Sequence, residues 1–116
     1  MDFKQGDFEN ILMNAIWDME DEEFEEIDVS VVQTRINSEN QSWAYTTVKT
    51  VLDRLVKKET LQRIKSNKKF LYKSVISRKE AGINAVEKLV KQYFKGEIRE
   101  LIKATDQLGV GVLVYR

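Results

Sequence analysis

Among its 116 residues the chain has no cysteine, no histidine and no proline, and only five glycines. The first two absences remove most catalytic options. No Ser-His or Cys-His pair can be assembled, no disulfide can form, and the usual zinc ligand sets are missing. Only carboxylates remain to hold magnesium or calcium. An enzyme is therefore not expected, and no cofactor or metal is implied. Long apolar runs are also lacking: none approaches the ~18 residues of a membrane span. The opening MDFKQGDFEN is acidic and has no apolar block of the kind a secretory signal needs. The expected location is the cytoplasm, without membrane insertion.

The apolar fraction, 42%, is enough for a real core, and the length suits one domain, or a small domain with an appended segment. A net charge of zero conceals a strong polarity along the chain. Residues 1–41 hold 12 acidic and 2 basic side chains, residues 42–79 hold 2 and 11, and residues 80–116 hold 5 and 6. A basic middle of this density is the electrostatic footprint of a polyanion contact. The bland alternative is a solvated surface whose sign happens to cluster.

Helical periodicity begins at residues 7–20, where Phe8, Ile11, Leu12, Ala15 and Met19 share one stripe, Ile16 lies alongside and Asp7 is placed to cap. Trp17 reads as an apolar filler in or beside the core. Residues 18–26, DMEDEEFEE, carry seven carboxylates and are expected to form a solvated loop. A brief extended piece and a helix follow over 27–39, capped by Asp28 or Ser30, with Val31, Val32 and Ile36 facing inward. Ser42 is the expected cap of the next helix. There Val48, Val51, Leu52 and Leu55 form the i, i+3, i+4, i+7 stripe, and Thr46, Thr47, Lys49, Thr50, Asp53, Arg54 and Lys57 lie off it. Residues 60–75 alternate like a hairpin around the turn residues Ser66-Asn67-Lys68. Its tip is basic through Lys65, Lys68 and Lys69. Ser77 and Glu80 have capping-box spacing. A long stripe then runs through Val86, Leu89, Val90, Tyr93, Phe94, Ile98, Leu101 and Ile102, with Gly96 as a break. It is wide for a small domain to cover alone, so a homodimer is expected. Residues 108–116 read as a short strand or an apolar tail.

Helix, short strand, helix, helix and basic hairpin is the order of a winged helix-turn-helix, whose third helix enters the major groove while the hairpin reaches flanking phosphates. That order gives the polar face of residues 46–57 a task. Threonine hydroxyls and methyls suit base edges and phosphates, Arg54 can fork onto guanine or a phosphate, and Lys49 and Lys57 lie near the backbone. Lys65, Lys68 and Lys69 supply a second phosphate contact. As alternatives, the threonines serve as surface or capping residues, and Arg54 bridges to the acidic segment. Asp53 either accepts from a cytosine amino group or pairs with Lys49 or Lys57 one turn away.

The stretch AYTTVKTVLDRLVKKETLQRIKSNKKFLYKSVISRKEA (44–81) closely resembles the penicillinase-repressor family, which includes the methicillin-resistance and copper-transport repressors. The matching features are Thr46 and Thr47, Thr50, Arg54-Leu55, Lys57-Lys58, and a wing ending in Phe70-x-Tyr72. FENILMNAIWDME resembles the family's first helix, and the likeness covers about residues 7–80. It implies a dimeric bacterial repressor on a palindromic double-stranded DNA operator, with DNA contacts from Thr46, Thr47, Lys49, Thr50 and Arg54, and from Lys68 and Lys69 in the wing. Copper-responsive members carry a C-terminal cysteine pair, and penicillinase repressors are cut at an Asn-Phe bond. This chain has neither, so the effector or sensor partner stays open.

The expected architecture is mainly α with a small β wing: a winged helix-turn-helix over 1–76, with an acidic insertion at 18–26, then a helical dimerisation segment over 77–116. One rival is a winged helix serving as a protein-interaction module without DNA binding, a role for which the basic third helix and wing are ill suited. A second is a carboxylate-metal hydrolase centred on 18–26, which would need those acids to converge on a rigid site.

Overall fold

A computed structural model of the chain describes residues 5–109. Two compact units divide between Arg78 and Lys79.

The first unit opens with α1 (Gln5–Asp21). Leu12, Ile16 and Met19 on its inner face are fully buried, and Phe8, Met13 and Ala15 nearly so. Asp7 lies within the first turn and is not the cap. The helix also runs further into the acidic segment than its charge suggests, so Asp18 to Asp21 are helical and only the residues after them form a loop. It stops in a Schellman arrangement: Phe24 N–H donates to Met19 C=O and Glu23 N–H to Glu20 C=O, each at 3.0 Å. Glu23 occupies the left-handed region that glycine usually fills, at φ 65°.

Ile27, in the short segment before the next helix, accepts from Tyr72 N–H at 2.8 Å. Asp28 caps α2 (Val29–Ile36) by accepting from Val31 N–H at 2.9 Å. Val29 and Val32 are buried, while Val31 and Ile36 pack partly against the core. The turn into α3 (Tyr45–Lys57) is held by side chains of α2 and its C-cap. Asn37 Oδ1 accepts from Trp43 N–H at 2.7 Å, and Gln33 and Asn37 both donate to Trp43 C=O. The Trp43 ring lies against Phe8, with centroids 4.2 Å apart. This pinning fixes the start of α3 at Ala44, which has no side-chain cap, and not at Ser42.

α3 buries Val48, Val51, Leu52 and Leu55, as its spacing requires. It too ends on a glutamate in the left-handed region: Glu59, at φ 64°. Strands β1 (Leu61–Ser66) and β2 (Lys69–Ser74) follow, antiparallel, with Ser66 paired to Lys69 and Ile64 to Leu71. Asn67 turns the hairpin at φ 57°. Leu61 and Tyr72 anchor the wing in the core. Trp17 packs half-buried beside the core, as expected, and its ring N–H also donates to Ile76 C=O at 2.9 Å. The unit is a three-helix core with a two-stranded wing, a winged helix-turn-helix.

Apart from its first residue, which belongs to the first unit, α4 (Arg78–Tyr93) lies in the second unit with α5 (Ile98–Leu108), and the two helices are separated where Lys95 and Gly96 adopt positive φ. Of the expected apolar stripe here, only Val90 is buried. Phe94 and Leu101 are half-buried, and Val86, Leu89, Tyr93, Ile98 and Ile102 are exposed. Leu108 ends α5 and Gly109 follows as its C-cap. The strand or tail expected beyond lies outside the described residues.

Candidate nucleic-acid interface

The outer face of α3 is polar because its apolar stripe is committed to the core. Thr46, Thr47 and Thr50 are exposed. Among the described residues their hydroxyls have no hydrogen-bond partner, nor does the exposed Lys57 form an ion pair. These are the groups the sequence singles out as base and phosphate readers, and they point to solvent.

Lys49 is on the same helix but is engaged. Its Nζ donates to Asp53 Oδ2 at 2.7 Å. Asp53 Oδ1 accepts from Tyr72 Oη at 2.8 Å and from Arg63 at 3.1 Å. Of the two alternatives for Asp53, the chain adopts pairing with Lys49. Burial pushes its carboxyl upward, but hydrogen bonds from Lys49 and Tyr72 and the charges of Lys49 and Arg63 outweigh that. The net result holds Asp53 below the usual carboxylate range. Tyr72 is pushed well up, by burial first and then by Asp53.

Arg54 pairs with Glu9 of α1, at 3.9 Å, and not with residues 18–26. Glu9 is nearly buried and takes both oxygens' bonds from Lys58 Nζ, at 2.8 and 2.9 Å. Arg54 is thus loosely tethered, with its side chain 35% exposed.

In the wing, Lys65 and Lys68 form no ion pair among the described residues, and Lys65 Nζ stands 5.3 Å from the Phe70 ring centre, a cation–π contact. Lys69 is paired with Glu26 at 3.0 Å and Asp28 at 3.4 Å, and its hydrogen bond to Glu26 raises its pKa. A cleft of about 250 Å³ brings the pieces together: Tyr45 and Lys49 from α3, Lys68, Lys69 and Phe70 from the wing, and Ser30 from α2. The start of α3 and the lysine tip of the wing therefore share one side. Tyr45 and Ser30 were not among the residues expected there. Tyr45, the first residue of α3, is 45% exposed.

The acidic segment is mostly tied to basic or polar partners of its own unit. Asp18 and Asp21 pair with Arg78, Glu22 with Arg35, and Glu26 with Lys69. Glu20 accepts from Ser74 through both its N–H, at 2.8 Å, and its hydroxyl. Among the described residues no group of acids is arranged to hold a metal ion, and no helix is long and apolar enough to cross a membrane.

A family model described as Penicillinase repressor matches residues 5–107, nearly the whole chain. No curated protein matches it. The chain belongs to the penicillinase repressor family.

Proposed function

We propose that this member of the penicillinase repressor family is a sequence-specific DNA-binding repressor that occupies a palindromic operator as a homodimer. Its family is one of regulators rather than enzymes, which supports this reading. The observation that carries the finer reading is the unpartnered Thr46-Thr47-Thr50 face, on the helix whose first turn shares a cleft with Lys68 and Lys69. A helix laid in the major groove there would direct threonines to base edges, while the wing lysines neutralise adjoining phosphates.

The second unit supports the dimer. Ile83, Tyr93, Ile98 and Ile102 are each more than half exposed, an apolar surface best buried against its own copy. Two third helices would then enter successive major grooves, about 34 Å apart, and exclude polymerase from the site. Repression would be by occlusion.

The test begins with selection of a duplex from a random library, followed by anisotropy titrations. Thr47→Ala should lower discrimination against altered half-sites by about 1 kcal/mol. Lys68→Ala should weaken all sequences alike and flatten the salt slope by about 1 per protomer. If both variants bind like the wild type, these residues do not carry recognition.

A further inference from the structure

A carboxylate on a helix face meant for phosphates is an electrostatic liability unless its charge is spent. Asp53 spends it on three donors from three elements: Lys49 of α3 at 2.7 Å, Arg63 of β1 at 3.1 Å and the Tyr72 hydroxyl of β2 at 2.8 Å. Tyr72 is 3% exposed and part of the core, so one end of this junction cannot drift. The other end is a lysine that lines the cleft between helix and wing. A plain surface ion pair would join two residues of one helix. This one also fastens both strands of the wing to the middle of the reading helix.

We propose that Asp53 is a positioning residue for DNA specificity: it sets the spacing between α3 and the wing, and it withholds Lys49 from indiscriminate phosphate binding. The inference rests on the DNA-binding reading above. Its two parts have separable consequences. Asp53→Asn removes the charge but keeps an acceptor for Tyr72, so Lys49 is released to any phosphate. Tyr72→Phe keeps the charge on Lys49 but cuts the hydroxyl link to β2, so spacing is loosened without a new cation.

The experiment uses the full chain, a selected duplex and a scrambled duplex of equal length, titrated across a salt series at folded fractions matched by circular dichroism. Asp53→Asn is expected to bind the scrambled duplex about 3–10-fold more tightly at low salt, with a slope steeper by about 1 per protomer. Its ratio of selected to scrambled affinity should fall by about tenfold. Tyr72→Phe is expected to weaken the selected duplex severalfold and leave the scrambled one unchanged. If Asp53→Asn does not fold, the Tyr72→Phe result decides. A wild type that discriminates between the duplexes, with variants that retain its ratio, overturns the inference alone. A wild type that binds neither duplex overturns the DNA reading and the inference together.

Discussion

The two units of the chain treat their apolar residues in opposite ways. The winged unit closes its core on itself: Leu12, Ile16, Met19, Val32, Val48 and Leu52 are fully buried, and what remains outside is mainly polar or charged. Among its described residues the α4–α5 unit leaves most of its stripe in solvent and buries only Val90. A core explains the first arrangement; the second is the kind of apolar surface that the proposed dimer would cover. The same contrast holds for charge. In the winged unit carboxylates meet cations across elements, as in Glu9–Lys58 and Asp53–Arg63, whereas Lys91–Glu87 and Lys103–Glu100 in the second unit each lie within one helix. The first unit closes on its own core, and the second leaves exposed the stripe that the proposed dimer would bury.

The sharpest way to break this comparison is to damage each unit in its own currency. Leu52→Ala, at a fully buried site of α3, should cost about 2–5 kcal/mol in denaturant unfolding. The equivalent insult to the second unit is Ile102→Glu, at a residue 56% exposed. It should weaken self-association about a hundredfold or more, or about 3 kcal/mol by sedimentation equilibrium, with the winged unit's circular dichroism intact. A cooperative loss of the winged fold in Ile102→Glu would erase the distinction between the units.

Asp53 gives a smaller, pH-coded effect. Its folded carboxyl lies below the ordinary value of 3.8, so its stabilisation is fully present above that value and is lost as pH falls through the folded one. Asp53→Asn should therefore cost about 1–2 kcal/mol at neutral pH. The gap from wild type should stay constant down to about pH 5 and close below about pH 4. A gap that widens in acid would mean the carboxyl is not held ionised by Lys49, Tyr72 and Arg63. Smallest of all, Thr47→Ala should change stability by less than about 0.5 kcal/mol while still altering duplex discrimination.

Much of this was legible in the residues themselves. The α3 stripe, the Asn67 turn and the break at Gly96 each rest on a local rule and stand where it puts them, and of the two candidate caps of α2, Asp28 and Ser30, the first is used. Helix ends were less readable. α1 and α3 stop on Glu23 and Glu59, which take a left-handed conformation with none of the glycine that normally marks it. The start of α3 was displaced because its turn is organised by Asn37 and Gln33 across space and not by Ser42 next door. Seven acids in residues 18–26 suggested a loop, yet the first of them complete a helix, because Met19 is buried and Asp18 and Asp21 find Arg78 from far along the chain. On the candidate interface the free threonines followed from periodicity. Which lysines are already paired did not, since Glu26 and Asp28 reach Lys69 only once the wing folds back.

The central claim is that the outer face of α3 reads base sequence. It is tested most directly by comparing wild type with the Thr46→Ala, Thr47→Ala, Thr50→Ala triple variant on a library-selected duplex and its scrambled counterpart. The account predicts that the triple variant keeps its fold and its scrambled-duplex affinity but loses at least about tenfold of the selected-to-scrambled ratio. An undiminished ratio in a folded triple variant would contradict it.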